Sequence, residues 1–329
     1  MKIAILGAGA WGTALGIALA QRHGTKLWAR DPAQAAAIDA ARRNERYLPE
    51  VALPEALAVG GDLESMLSGA ELVILAATVA GLRPLAGMLH KRGSGVPFIW
   101  LCKGFEEGTG SLPHEVVESV FGADSPACGA LSGPSFALEV AQGLPCALTL
   151  GAHDEGFACS MAARLHGGRL RIYYSADLTG VEIGGAVKNV LAIAVGISDG
   201  MGLGQNARAA LVTRGLAEIQ RLGVAMGASA ETIMGLTGAG DLILTATGTL
   251  SRNRTVGLEL AQGRSLESIL QGLGHVAEGV RSAREAMRLS ERHGVDLPIT
   301  RAVNSVLAGE MSPRAALDLL LARDPRSEG

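Results

Sequence analysis

Residues 2–12 read KIAILGAGAWG. A short apolar strand runs into three glycines and then into a helix expected from about Thr13 to Arg22. A G-x-G-x-x-G run set between strand and helix is the mark of a dinucleotide-binding turn. The three glycines act differently. Gly7 permits the tight turn, Gly9 lets the backbone approach a pyrophosphate, and Gly12 lets helix pack closely on strand. The helix N-terminus offers N–H groups and a positive dipole end to the phosphates. The alternative for the same residues is a purely structural strand-to-helix turn.

Working outward, Thr25 to Ala29 reads as a second strand. Glu71 to Ala77, Phe98 to Cys102, Ala127 to Leu131, Cys146 to Leu150 and Arg169 to Tyr174 read as further ones. Strands alternating with helical stretches predict an α/β Rossmann-type domain, doubly wound on a mainly parallel sheet. After about Ala176 the apolar residues recur at helical spacing: Leu211, Val212, Leu216, Ile219 and Leu222 mark one face, and Val280, Ala283 and Met287 another. Ser312-Pro313 fits a helix cap and first helical position. The expected organisation is a dinucleotide-binding domain over residues 1–176 and an all-α domain over 177–329.

Length and charge narrow the class. The 329 residues suffice for two domains with substantial cores. A net charge of -3 argues against a general nucleic-acid binder. Cys102, Cys128, Cys146 and Cys159 form no C-x-x-C pair, and the seven histidines show no metal spacing, so no metal is expected and the thiols are read as reduced and mostly core-filling. The early glycines fit a nucleotide turn better than a secretory signal. The run around Lys188 is short for a membrane span and carries Lys188 and Asn189 at its centre, so a cytoplasmic protein is expected.

Lys188 stands out by its surroundings. In IGGAVKNVLAIAVGIS, residues 183–198, it is the one charged residue. Lysine is rarely buried unless it is paired or used, and a desolvated lysine suits proton transfer. Gly184 and Gly185 would make room for a substrate beside it. Lys188 is therefore the candidate general acid when a ketone is reduced and general base in the reverse direction; a surface lysine is the alternative. Lys103 follows the strand at Phe98, near the sheet end where α/β folds place ligands, and is a candidate catalytic residue that polarises the carbonyl or orients Lys188, with an ordinary strand-end lysine as the alternative. Asp241, in Gly-Ala-Gly-Asp, either holds the lysines or caps a helix. Asn189 and Thr245 complete the polar set.

Other polar residues divide between ligand and surface. Arg252 and Asn253 are candidate phosphate donors, with a solvated face as the alternative. Gly133 and Ser135 lie in Ser-Gly-Pro-Ser, where backbone N–H groups and a hydroxyl can support a substrate. Arg30 ends the second strand where a guanidinium suits a ribose 2′-phosphate, so NADP(H) is expected, with NAD(H) also open because Asp31 follows. Arg42, Arg43 and Arg46 read as a solvated helix face, with an addition to the 2′-phosphate site as the alternative, and Glu106-Glu107 as a solvated loop.

Taken together, GAGAWGTAL from Gly7, NERYLP from Asn44, CKGFE from Cys102, LSGPSFALEVA from Leu131, the long run from Gly180, LTGAGDLILTATGTLSRNRTVG from Leu236 and VAEG from Val276 resemble the bacterial NAD(P)-dependent glycerol-3-phosphate dehydrogenase family. The resemblance implies interconversion of dihydroxyacetone phosphate and sn-glycerol 3-phosphate, which supplies phospholipid synthesis, by a homodimer. It implies Lys188 as the proton-transfer residue, and Lys103, Gly133 and Ser135 at the substrate. It places Asp241, Ser251, Arg252 and Asn253 around substrate and cofactor. Ala10, Trp11, Arg30, Ala137, Val276 and Glu278 would contact the cofactor, with Lys103 and Arg252 serving both ligands. Two rivals stand beside it: another two-domain hydroxy-acid dehydrogenase, which needs no phosphate grip, and a non-catalytic dinucleotide sensor, which needs neither Lys188 nor Asp241.

Overall fold

The computed structural model describes residues 1–93, 95–273 and 277–322. It divides into two compact units: residues 1–106 with 111–182, and residues 107–110 with those from 183 onward.

The first unit is built on ten strands: β1 Lys2–Leu6, β2 Gly24–Trp28, β3 Arg43–Asn44, β4 Leu48–Ala52, β5 Leu57–Gly60, β6 Leu72–Leu75, β7 Phe98–Trp100, β8 Cys128–Ser132, β9 Cys146–Gly151 and β10 Leu170–Ser175. Eight form one sheet in the order β10-β9-β8-β7-β6-β1-β2-β5. Every pair in it is parallel except β8–β9. The central strands are apolar throughout because both faces are covered. Ile3 and Ile5 pack into one core with Leu15 and Leu19, while Leu6, Val73, Leu75, Phe98 and Trp100 pack into another with Leu82 and Val116. The chain leaves β1 toward β2 on one side and later returns as β6 on the other. The reversal of strand order puts the Gly7 turn at the switch point, where doubly wound sheets bind ligands.

Three strands escape the sequence reading. The strand β5 is a four-residue edge, and β3–β4 is a small antiparallel ribbon. The expected helix face at Arg42 and Arg43 is corrected by the same feature. The helix Pro32–Ala41 stops where Arg42 takes a left-handed conformation with φ 47°. The Arg42 guanidinium then donates to Asp39 and to the carbonyls of Pro54 and Leu57, and Arg43 donates to the Pro49 carbonyl. Glu106 is likewise no free loop carboxylate, since it takes two hydrogen bonds from Arg83.

The second unit is helical, with no strand among its described residues. Its longest helix, Leu178–Gly200, is long and apolar enough to cross a membrane, but its most apolar 18-residue stretch is buried in the fold. The division between the compact units falls inside this helix, between Glu182 and Ile183. Its first turn stays with the sheet because the buried Glu182 carboxylate accepts from Trp100 Nε1 (2.8 Å) and the His114 backbone N–H (3.0 Å). Residues 107–110 join the second unit through Glu285, which accepts from the Gly108 N–H at 3.3 Å.

Candidate active site

The turn after β1 is shaped by what surrounds each glycine. Gly7 has φ +128°, and a Cβ there would stand 2.2 Å from the Ala76 carbonyl oxygen. A Cβ on Gly12 would stand 2.0 Å from the Gly7 carbonyl oxygen. Gly9 differs: a Cβ there would meet nothing within 4 Å. Packing thus demands the outer two glycines, while the middle one faces open space, as a backbone that receives a pyrophosphate must. The helix begins at Ala10, three residues before the expected Thr13. Its Gly9 cap supplies no side-chain acceptor, and Ala10, Trp11 and Gly12 form a first turn free of acidic residues. These residues fit a bound dinucleotide diphosphate.

Neighbouring residues fix this turn. Asn44 is buried and donates to the Ala8 carbonyl (3.0 Å) and to Thr13 Oγ1 (2.8 Å). Nothing in the local sequence signals this role, although Asn44 opens the NERYLP motif. Arg30 is exposed just beyond β2. Asp31 caps the helix Pro32–Ala41 by accepting from the Ala33 N–H at 2.9 Å. That use of Asp31 leaves Arg30 as the charged side chain without a capping duty at the strand end. Ala137 opens the helix Ala137–Ala141, which packs against the helix of the glycine turn.

Lys103 lies just past β7 and donates to the Gly133 carbonyl at 2.9 Å. Ser135 Oγ donates to the same carbonyl at 3.0 Å. The three substrate residues expected in the first unit therefore share one hydrogen-bonded cluster. Gly133 has φ +137°, and a Cβ there would press on Ala147 and Leu148 at 3.1 Å.

In the second unit Lys188 is 6% exposed and Asp241 1%. Lys188 Nζ donates to Asp241 Oδ1 and, at 3.0 Å, to Thr245 Oγ1. The Asp241 carboxylate and the Thr245 hydroxyl hold the Lys188 amine in place within this buried cluster. Asp241 is the first residue of the helix Asp241–Thr247, whose cap is Gly240, so the capping alternative does not hold. It follows a π-helical turn, Leu236–Gly240.

Glycines bring this cluster together. A Cβ on Gly184 would stand 2.7 Å from the Thr237 carbonyl. Gly184 therefore admits the π-turn that carries Asp241, which corrects the expectation that it makes room for a substrate. Gly196 does the same for Arg254, whose carbonyl would lie 2.1 Å from an added Cβ.

Asn253 is buried and joins three helices. Its Nδ2 donates to Asn189 Oδ1, and its Oδ1 accepts from the Gly279 N–H, each at 3.0 Å. Ser251 caps the helix Arg252–Ala261, and Arg252 stands exposed in its first turn. Arg254 is held by Asp199. Glu278 opens the helix Glu278–His293 and is half-buried. Val276 lies outside the described residues.

Known proteins resemble this chain in sequence and fold. Family models described as the NAD-dependent glycerol-3-phosphate dehydrogenase N-terminus and C-terminus match residues 2–158 and 177–318. The glycerol-3-phosphate dehydrogenase [NAD(P)+] of Dechloromonas aromatica is 56% identical, covering 100% of this chain and 99% of its own. That of Methylibium petroleiphilum is 57% identical with the same coverage. A glycerol-3-phosphate dehydrogenase crystal structure from Coxiella burnetii superimposes with a TM-score of 0.92 at 38% identity, covering 98% of this chain and 99% of that one. A dinucleotide turn on a doubly wound sheet, a buried Lys188–Asp241 pair in a helical unit and these matches together place the chain in the NAD-dependent glycerol-3-phosphate dehydrogenase family.

Proposed function

We propose that this chain interconverts dihydroxyacetone phosphate and sn-glycerol 3-phosphate with NAD(P)H or NAD(P)+, supplying glycerol 3-phosphate for phospholipid synthesis. The observation that carries this reading is the buried Lys188–Asp241–Thr245 cluster. A dinucleotide sensor has no use for it. The names of the full-length relatives set the substrate class.

Reducing a ketone takes a hydride on carbon and a proton on oxygen. The nicotinamide, when bound, supplies the hydride. Lys188 gives its ammonium proton to the carbonyl oxygen and takes one back from the alcohol in oxidation. Asp241 and Thr245 orient Lys188. Lys103, Gly133 and Ser135 are further substrate-binding residues, as the family resemblance implies. Arg252 grips phosphate through its guanidinium beside a helix N-terminus, with Ser251, Asn189 and Asn253 fixing the helices behind it. Phosphate contacts of this kind position the reacting carbonyl from a distance.

Gly7, Gly9, Ala10, Trp11 and Gly12 hold the dinucleotide diphosphate. Ala137, Val276 and Glu278 make further cofactor contacts, and Arg30 takes the 2′-phosphate of NADP(H). Residues 1–176 act as the dinucleotide-binding domain and 177–329 as the substrate and catalytic domain. A homodimer in the cytoplasm completes the reading; the dimer rests on the family resemblance, and the cytoplasm on the sequence reading of the glycine turn and the Lys188 run.

The test is to mix purified protein with dihydroxyacetone phosphate and follow oxidation of NADPH and of NADH separately, with unphosphorylated dihydroxyacetone as control. Turnover confined to the phosphorylated ketone is expected. In Arg30→Ala, the KM for NADPH should rise more than that for NADH. Equal turnover of both ketones would favour a hydroxy-acid dehydrogenase, and no turnover by protein that still binds dinucleotide would favour the sensor.

A further inference from the structure

We propose that His114, Glu118 and His153 form a site for one divalent transition-metal ion of the zinc class, separate from the residues assigned above. His114 and Glu118 stand four residues apart on the helix Pro113–Phe121, so they share one of its faces. His153 lies between β9 and the helix Glu155–Leu165. One donor atom from each of the three lies within 4.8 Å of the other two.

The spacing suits tetrahedral zinc. Glu118 Oε1 and His153 Nε2 are 3.6 Å apart. The rings of His114 and His153 are 5.4 Å apart, centroid to centroid, and nearly perpendicular at 87°. Bonds of about 2.1 Å at tetrahedral angles put two donors about 3.4 Å apart and two ligating imidazoles about 5 Å apart. Glu118 and His153 are exposed, so small rotations of their side chains complete the approach. Two imidazoles and a carboxylate, with water in the fourth position, match zinc rather than magnesium or calcium, which take oxygen ligands.

The fold holds His114 in the orientation a ligand needs. Its Nδ1 lies 2.5 Å from Glu182 Oε2, which leaves Nε2 as the nitrogen that can bind a metal. Glu182 is itself buried and fixed by Trp100 Nε1 and the His114 backbone N–H. A carboxylate behind a ligating histidine sets its tautomer and orientation. Here that carboxylate also anchors the first turn of the helix that carries Lys188, so metal at His114 draws on the anchor of that helix. The expectation of no metal rests on spacing in sequence, and His153 reaches the other two only through the placement of β8 and β9.

The full chain, stripped with a chelator and dialysed against zinc alone, should bind one ion per chain. His153→Ala and Glu118→Gln should each weaken binding at least about tenfold. Both side chains are exposed, so metal-free melting temperatures should match the parent protein. Cobalt in place of zinc should give a visible absorption band of a four-coordinate nitrogen and oxygen site, lost in both variants. Binding that survives both substitutions, a thiolate charge-transfer band from Cys159, or no zinc bound by the parent protein would each overturn the site.

Discussion

The glycine turn of the first unit and the lysine cluster of the second are built from opposite materials. From Gly7 to Gly12 the groups of the candidate site are backbone, contiguous in sequence, and shaped by the absence of side chains. At Lys188 they are side chains drawn from positions 53 residues apart and buried together. Two helix starts differ in the same way. The helix at Ala10 begins with no side-chain acceptor. The helix Pro298–Leu307 is closed by the buried Glu218, which accepts from the Ile299 and Thr300 N–H groups (2.6 and 3.0 Å) and from Thr300 Oγ1 (2.8 Å). An uncapped helix start can receive a ligand, whereas a satisfied one holds the fold. A site made of backbone should lose binding when a side chain is added, and a site made of paired charges should lose stability when one is removed.

The largest effect is expected from Asp241→Ala. It leaves a buried lysine without its carboxylate and should destabilise the chain by about 3–5 kcal/mol. Calorimetry should show a clear drop in melting temperature, and replacing Lys188 by Met in the same chain should restore much of it. An unchanged melting temperature for Asp241→Ala would mean that the pair does not bind the helices together.

Gly9→Val should do the reverse. Its side chain enters open space, so the melting temperature should hold while the KM for the dinucleotide rises at least about tenfold, a loss of roughly 1.4 kcal/mol. Gly7→Val should instead fail to fold properly, because its Cβ meets the Ala76 carbonyl and its backbone lies at positive φ. Similar behaviour of the two variants would erase the distinction between a ligand-facing glycine and a packing one.

The smallest effect concerns Glu218. Burial pushes its carboxyl above the ordinary value of 4.5, against the hydrogen bonds it accepts from Ile299 and Thr300. Between 4.5 and the raised native value the folded chain holds a proton that the unfolded chain has released. The stability linked to that proton is present in full below 4.5 and is lost as pH rises through the native value. Melting temperature against pH should therefore fall across this window more steeply in the parent protein than in Glu218→Gln. Parallel curves would mean that Glu218 titrates normally.

What can be read in the sequence follows the same division. The glycine turn and the central strands are legible because local backbone geometry writes itself into neighbouring residues. Lys188 is legible as an anomaly, a lone charge in an apolar helix. Its partner is harder to read: Asp241 among glycines looks like a helix cap until the π-turn is seen to lie against Gly184. Arg42 misleads because a left-handed residue ends the helix just before it would have joined a solvated face. Glu182, Glu218 and Glu285 give no signal at all. Each is an acid on an otherwise ordinary helix whose partners come from distant segments. That His153 lies beside His114 and Glu118 is hidden for the same reason.

The most direct test of proton transfer by Lys188 is the turnover of Lys188→Ala in the reduction of dihydroxyacetone phosphate, with NADPH affinity titrated on the same sample. We expect kcat to fall at least about 100-fold, within the usual range for a lost acid–base group, while NADPH binds as in the parent protein. A fall of less than about tenfold with the substrate still bound would contradict the assignment and leave Lys188 a structural partner of Asp241.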